Sequence, residues 1–329
     1  MTPLAPFVQS FFTERLVNQR QASPHTIAAY RLTFSLLLRF ARDRLGKAPS
    51  DLGLEDLDAP LVASFLQHLE RDRKNSVQTR NARLAAIRSF YRYIAVLVPD
   101  HADRVKRVLD IPCKRFDREL VDFLSRSEFE ALLAAPDRTS WHGRRDHALL
   151  LCAIQTGLRA SELVNLRIDQ IVPGKHAHVR CTGKGRKERC VPLTRQTIDV
   201  VRSWLKLRGG GPLDPVFPSS RRGVLSLDAL EKMVKKHAAT AAKACPSLRE
   251  KRVTPHVLRH TAAMQLRQAG VDLSVIALWL GHESIETTQI YLQADLASRE
   301  AAVSRLAPVE TGYRRFQATD GLLAFLQGL

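Results

Sequence analysis

The chain has 329 residues, 45% of them hydrophobic, enough to fill the cores of two ordinary domains. Lysine and arginine total 51 against 33 aspartate and glutamate, a formal net charge of +18, which calls for a polyanionic partner but does not by itself choose among nucleic acid, an anionic membrane surface and heparin-like ligands. Cys113, Cys152, Cys181, Cys190 and Cys245 form no CxxC pair, the start of the chain lacks a signal-peptide pattern, and the apolar stretch from Ala148 to Ile154 is too short to span a bilayer, so a reducing cytoplasmic setting at the nucleoid, with no membrane partner, is expected.

In chain order, Ser23 followed by Pro24 places an N-cap before a proline at the first helical position, with Tyr30, Phe34, Leu37 and Leu38 recurring at helical spacing. Asp58 with Pro60 opens a second helix carrying Leu61, Phe65 and Leu69. A third holds Leu84, Ile87, Tyr91 and Ile94 on one side, and Arg80, Arg83, Arg88 and Arg92 on its other faces. Residues 1–109 are therefore expected to form an all-helical domain with a basic surface, with Arg80, Arg83 and Arg88 as candidate phosphate contacts and simple solvation as the plainer alternative. Periodicity lapses over residues 110–124, which read as a linker. Ser125 and Glu128 then form a capping box that opens a second domain over 125–329. That domain is mostly helical with one hairpin, 178–181 against 189–193 around the turn 182–187, so the predicted fold is mainly α with a small β component.

Three clusters carry candidate chemistry. In Gly157-Leu158-Arg159-Ala160-Ser161-Glu162, Arg159 and Glu162 share a helical face; such a pair is commonly structural, but it also suits an arginine aimed at an anion by its own carboxylate. In Thr254-Pro255-His256-Val257-Leu258-Arg259-His260, a cap and a proline put His256 near a helix N-terminus, an anion-friendly position, and His256, Arg259 and His260 can share one face. Two histidines four apart also suggest zinc, but Val257 stands where the HExxH pattern needs glutamate, and no metal is expected. The third cluster runs from Trp279-Leu280-Gly281-His282, a helix end at glycine, through a cap at Ser284 to Tyr291. After it come a helical pattern from Leu296 to Leu306 and an apolar end, Leu322 to Leu326, which packs either in cis or onto a neighbour.

Taken together, GLRASEL, TGKGRKER, HVLRH and WLGH with Tyr291 nine positions beyond His282 resemble the signature of the tyrosine recombinases, also called phage integrases, over most of the chain. The resemblance implies a SAM-like N-terminal helical DNA-binding domain over residues 1–109 and a mixed α/β catalytic domain. It assigns Arg159 and Arg259 to the scissile phosphate, with Glu162 buttressing the first. It makes Lys184 the donor to the leaving 5′ oxygen, His256 the acid/base partner of the tyrosine, His282 a further donor to the phosphate and Tyr291 the nucleophile. His260 fits the pattern too, with packing or helix support as its expected role, while Arg186 and Lys187 are expected to contact DNA phosphates. No metal or nucleotide cofactor is implied. Double-stranded DNA, a homotetramer on two sites and accessory recombinases are the implied partners, in integration, excision or transposition of a mobile element. Xer-type resolution of DNA dimers, a noncatalytic DNA-binding protein of the same fold, and a type IB topoisomerase stay open at this level.

Overall fold

A computed structural model describes residues 2–116, 122–183, 188–282, 287–288 and 291. The chain divides after Arg118 into two units.

The N-terminal unit is all helical. Its helices are α1 (Leu4–Ser10), a π-helical continuation (Phe11–Gln19), α2 (Pro24–Leu45), α3 (Ala59–Arg71), α4 (Val77–Leu97) and α5 (Ala102–Leu109). Local chemistry sets their starts: the side chains of Ser23, Asp58 and Ser76 accept from the backbone N–H groups of Thr26, Leu61 and Thr79. The stripes expected from periodicity are the core, with Phe34, Leu37, Leu61, Phe65, Leu69, Leu84, Ile87, Tyr91 and Ile94 all buried in one cluster.

The arginines of α4, expected to contact phosphate or simply to be solvated, make hydrogen bonds within this unit. Arg80, 6% exposed, donates to the Pro112 carbonyl at 2.9 Å; Arg83 donates to the Ala29 carbonyl and the Thr33 hydroxyl; Arg88 donates to the Ile111 carbonyl. The Pro112 and Ile111 carbonyls lie outside helices and sheets and need donors, which a guanidinium supplies. Part of the expected linker is thereby folded onto this unit, where Asn81 also donates to the Lys114 carbonyl and Lys114 pairs with Glu70.

The second unit contains α6 (Arg126–Ala134), α7 (Trp141–Thr156), α8 (Ala160–Val164), α9 (Arg195–Arg208), α10 (Leu227–Ala241), α11 (Pro255–Gln268) and α12 (Leu273–Leu280). Between α8 and α9 lies an antiparallel sheet of β1 (Ile171–Val172), β2 (His178–Thr182) and β3 (Glu188–Pro192) in that order. The hairpin pairs Val179 with Val191 and Cys181 with Arg189, and the short β1 is an addition to it. The Ser125–Glu128 capping box forms as expected, and the buried Glu128 carboxylate also accepts from Ser247 and Lys251. Helix α7 is buried along most of its length, from Ala148 to Ile154, and is the axis on which α9 and α11 pack. Among the described residues no helix is long and apolar enough to cross a membrane.

Candidate active site

The site is built where the ends of α7 and α12 meet. Helix α7 stops at Gly157, whose φ of +63° is a left-handed conformation that favours glycine, and a Cβ there would lie 2.6 Å from Leu280 Cδ2. Helix α12 stops the same way at Gly281, with φ +66°. Trp279 ties the two ends together by donating its indole N–H to the Thr156 carbonyl at 3.0 Å.

Both candidate arginines are anchored on these turns. Arg159 donates to the Gly281 carbonyl at 2.6 Å, and Arg259 donates to Gly157 at 2.7 Å and to Leu280 at 2.7 Å. Arg259 is 5% exposed; burial, then the neighbouring Arg159 charge, brings its pKa down to about 10. Arg159 keeps more of its side chain accessible and is held from behind by Glu162, which accepts its backbone N–H at 2.8 Å and its guanidinium at 3.0 Å. Glu162 thus lies directly against the Arg159 guanidinium.

The last residue of the TGKGRKER stretch, to which the resemblance assigned no role, is central to the geometry. Arg189 on β3 addresses both oxygens of Glu162, at 2.9 and 2.7 Å, and donates to the Trp279 carbonyl at 3.1 Å. Burial would raise the Glu162 pKa, but hydrogen bonds from Arg189 and from the Arg159 backbone outweigh it and hold the carboxyl below its ordinary value. Arg189 closes the TGKGRKER stretch in the hairpin, but its partner lies 27 positions away, so local spacing does not reveal the pairing.

The histidines gather on the other side. Thr254 caps α11 through the Val257 N–H, which fixes the first turn where His256 sits. His256 and His260 rings lie 4.1 Å apart, and His260 Nδ1 is 2.9 Å from the Tyr291 hydroxyl. His282 stacks on the Tyr291 ring at 6.4 Å and bonds through Nδ1 to the Thr288 hydroxyl at 2.8 Å. The direct partner of the Tyr291 hydroxyl is therefore His260, expected to serve packing, rather than His256. Tyr291 is 1% exposed, and burial pushes its phenol up to about 12. Burial, then His256 and Arg259, brings His260 down to about 3. His282 falls to about 4 through burial and then the Arg259 and Arg159 charges. His256 is lowered by desolvation and then by Arg259. Fixed positive charge, neutral imidazoles and a phenol are thus brought together, a set suited to binding a phosphodiester and moving protons around it.

Of the sequence-expected residues, Arg159, Glu162, His256, Arg259, His282 and Tyr291 belong to this assembly, whereas Arg80, Arg83 and Arg88 lie in the other unit. Lys184, Arg186, Lys187, the cap at Ser284 and the C-terminal tail lie outside the described residues. Among the described residues, no group of three or more His, Cys, Asp or Glu side chains is arranged to hold a metal ion.

A mainly helical chain with this constellation defines a phosphoryl-transfer enzyme, and comparison with known proteins fixes which kind. Residues 122–297 match the Phage integrase family and residues 10–95 match the Phage integrase N-terminal SAM-like domain; the chain belongs to this family, the tyrosine recombinases. It is 55% identical over 326 residues to y4rC of Sinorhizobium fredii, a protein named as an integrase/recombinase, covering 99% of this chain and 98% of that one. It is 34% identical to tyrosine recombinase XerC of Pelobacter propionicus over 90% of this chain and 93% of the relative. In fold it resembles the XerH site-specific recombinase in a post-cleavage complex with palindromic difH substrate, with a TM-score of 0.67 and 24% identity over 87% of this chain and 81% of the other.

Proposed function

We propose that this enzyme cuts and rejoins double-stranded DNA at specific sites through a 3′-phosphotyrosyl bond to Tyr291. The observation that carries the reading is the shared turn: Arg159 and Arg259 both donate to carbonyls of Leu280 and Gly281, the residues that lead into His282, whose ring stacks on Tyr291. Two guanidinium groups held there stabilise the charge that builds on the nonbridging phosphate oxygens during in-line attack. The Tyr291 oxygen forms the new bond to phosphorus, its proton passes to an imidazole, and the 5′ oxygen departs with a proton from Lys184. In the enclosed arrangement described here the hydroxyl rests on His260; attack requires it to turn out, and His256, one helical turn earlier and exposed, is the acid/base group on that side. The phosphotyrosyl bond conserves the phosphodiester energy, so rejoining needs no nucleotide, and the chemistry assigned to these side chains needs no metal.

Four protomers on two DNA sites, acting in the cytoplasm at the nucleoid, are the assembly this chemistry serves, with accessory recombinases as further partners. Integration, excision or transposition of a mobile element is the favoured role, supported by the extent of similarity to y4rC. Xer-type dimer resolution is the second reading, supported by the identity with XerC. Recombination of the repeats flanking the encoding locus, against recombination of a chromosomal dimer-resolution site, separates the two.

The deciding experiment uses a labelled half-site with a nick beside the scissile phosphate. Wild type is expected to trap a covalent protein–DNA band through a 3′ phosphate. Tyr291→Phe keeps the ring and its packing, so it is expected to bind DNA and trap none. Arg159→Ala is expected to trap the band slowly, by roughly 100-fold or more, because an oxyanion-stabilising donor is lost while the nucleophile remains. An adduct that persists in Tyr291→Phe, or that maps to Tyr313, overturns the assignment.

A further inference from the structure

We propose that Arg189 is a positioning residue for strand cleavage: it locks Glu162 behind Arg159 and seats the end of β2, from which Lys184 follows, against that pair. The inference rests on the recombinase reading above and assigns a role to a residue that the resemblance left without one.

Its basis is geometric. The Glu162 side chain is 5% exposed and receives four hydrogen bonds, one to each oxygen from Arg159 and one to each from Arg189. That is the full acceptor capacity of a carboxylate, so Glu162 has no freedom left in orientation, and Arg159 inherits the constraint. The Arg189 side chain is itself 11% exposed, and its third nitrogen, Nε, donates to the Trp279 carbonyl. Three elements therefore meet on one guanidinium: β3, which carries it, α8, which carries Glu162, and the end of α12.

The close approach of two glycines extends the contact. A Cβ on Gly281 would lie 2.9 Å from Arg189 Nη1, and one on Gly183 would lie 3.1 Å from the same atom and 3.5 Å from both Arg159 Nη1 and Glu162 Oε1. The backbone immediately before Lys184 thus rests on the Arg159–Glu162–Arg189 group. Arginine is required for this because one planar fork addresses both carboxylate oxygens while Nε points elsewhere; a lysine ammonium keeps the charge and loses the geometry. Arg189 does not need to touch DNA to matter.

The test compares Arg189→Lys, Arg189→Met, Glu162→Gln and the Arg189→Met/Glu162→Gln double variant in the full chain. Two nicked half-sites are used, one with the ordinary bridging 5′ oxygen and one with sulfur in its place. A thiolate leaves without needing a proton, so the sulfur substrate is insensitive to misplacement of the Lys184 hairpin but still depends on Arg159. Cooperative unfolding and DNA affinity are expected to be retained in each variant. Cleavage of the oxygen substrate is expected to fall roughly 10- to 100-fold for Arg189→Met and Arg189→Lys, the usual cost of losing a partner that orients a functional group. The double variant is expected to be within about threefold of the slower single, because the two residues act as one unit. The sulfur substrate is expected to recover part of the Arg189 loss and none of the loss in Arg159→Ala. Wild-type cleavage by Arg189→Lys, multiplied losses in the double variant, or equal losses on both substrates overturns the proposal. If Arg189→Met does not fold, Arg189→Lys against Glu162→Gln decides it. A wild-type protein that traps no covalent complex overturns the recombinase reading instead.

Discussion

His260 and His282 are packed so that their imidazoles stay neutral at neutral pH, and this makes stability depend on acid. Both have pKa values below the ordinary 6.5, at about 3 and about 4. Between those values and 6.5 the unfolded chain binds more protons than the folded one, so folding stability rises with pH across that window and is lost as pH falls from 6.5. Denaturant midpoints measured from pH 7 to pH 4.5 are expected to decline, and His260→Asn and His282→Asn are expected to flatten the decline whatever they do to the midpoint at pH 7. A wild-type midpoint constant over that range contradicts the burial of these rings. At this scale the sequence revealed motif positions better than pairings. Arg159, Glu162, His256, Arg259, His282 and Tyr291 were legible because their spacings form a recognisable set. The bond from His260 to Tyr291 and the fork of Arg189 on Glu162 join residues 31 and 27 positions apart, and nothing in local spacing encodes them.

Helix ends are where this fold concentrates its demands. Gly281 combines a left-handed φ of +66° with Arg189 atoms at 2.9 to 3.1 Å from where a Cβ would stand. Gly281→Ala is expected to cost at least about 1–2 kcal/mol from the backbone conformation alone, read as a lower urea midpoint with an unchanged slope. A shift within error of zero means that the turn relaxes freely. Gly46, outside the site, also has a left-handed φ but nothing within 4 Å, and serves as the control in which only the backbone contribution appears. The caps at Ser23, Asp58, Ser125 and Thr254 were readable from sequence because a cap is a contact between residues three apart. The two-residue β1 was not, since it exists only as an edge for β2. The internal contacts of the α4 arginines were not readable for a related reason: helical periodicity identifies the apolar face but not which flanking arginine turns back to meet a carbonyl from another segment, as Arg80 does at Pro112.

For the molecule as a whole, the surplus of 18 positive charges predicts strongly salt-dependent association with DNA. A plot of log affinity against log salt is expected to be linear with a slope of about −0.9 per phosphate neutralised, and a flat plot removes the electrostatic basis of the DNA reading. The same charge gives such a protein long residence on DNA of any sequence, most of it not a target. Were Tyr291 standing free among the arginines, each of those encounters would place a loaded nucleophile beside a backbone. In the arrangement described here the ring is 1% exposed and its hydroxyl is engaged by His260, so with Tyr291 as the proposed nucleophile, occupancy of DNA and damage to DNA are separate events. On that proposal the cutting edge is carried sheathed, and DNA that is bound without being a target is spared the consequences of the affinity.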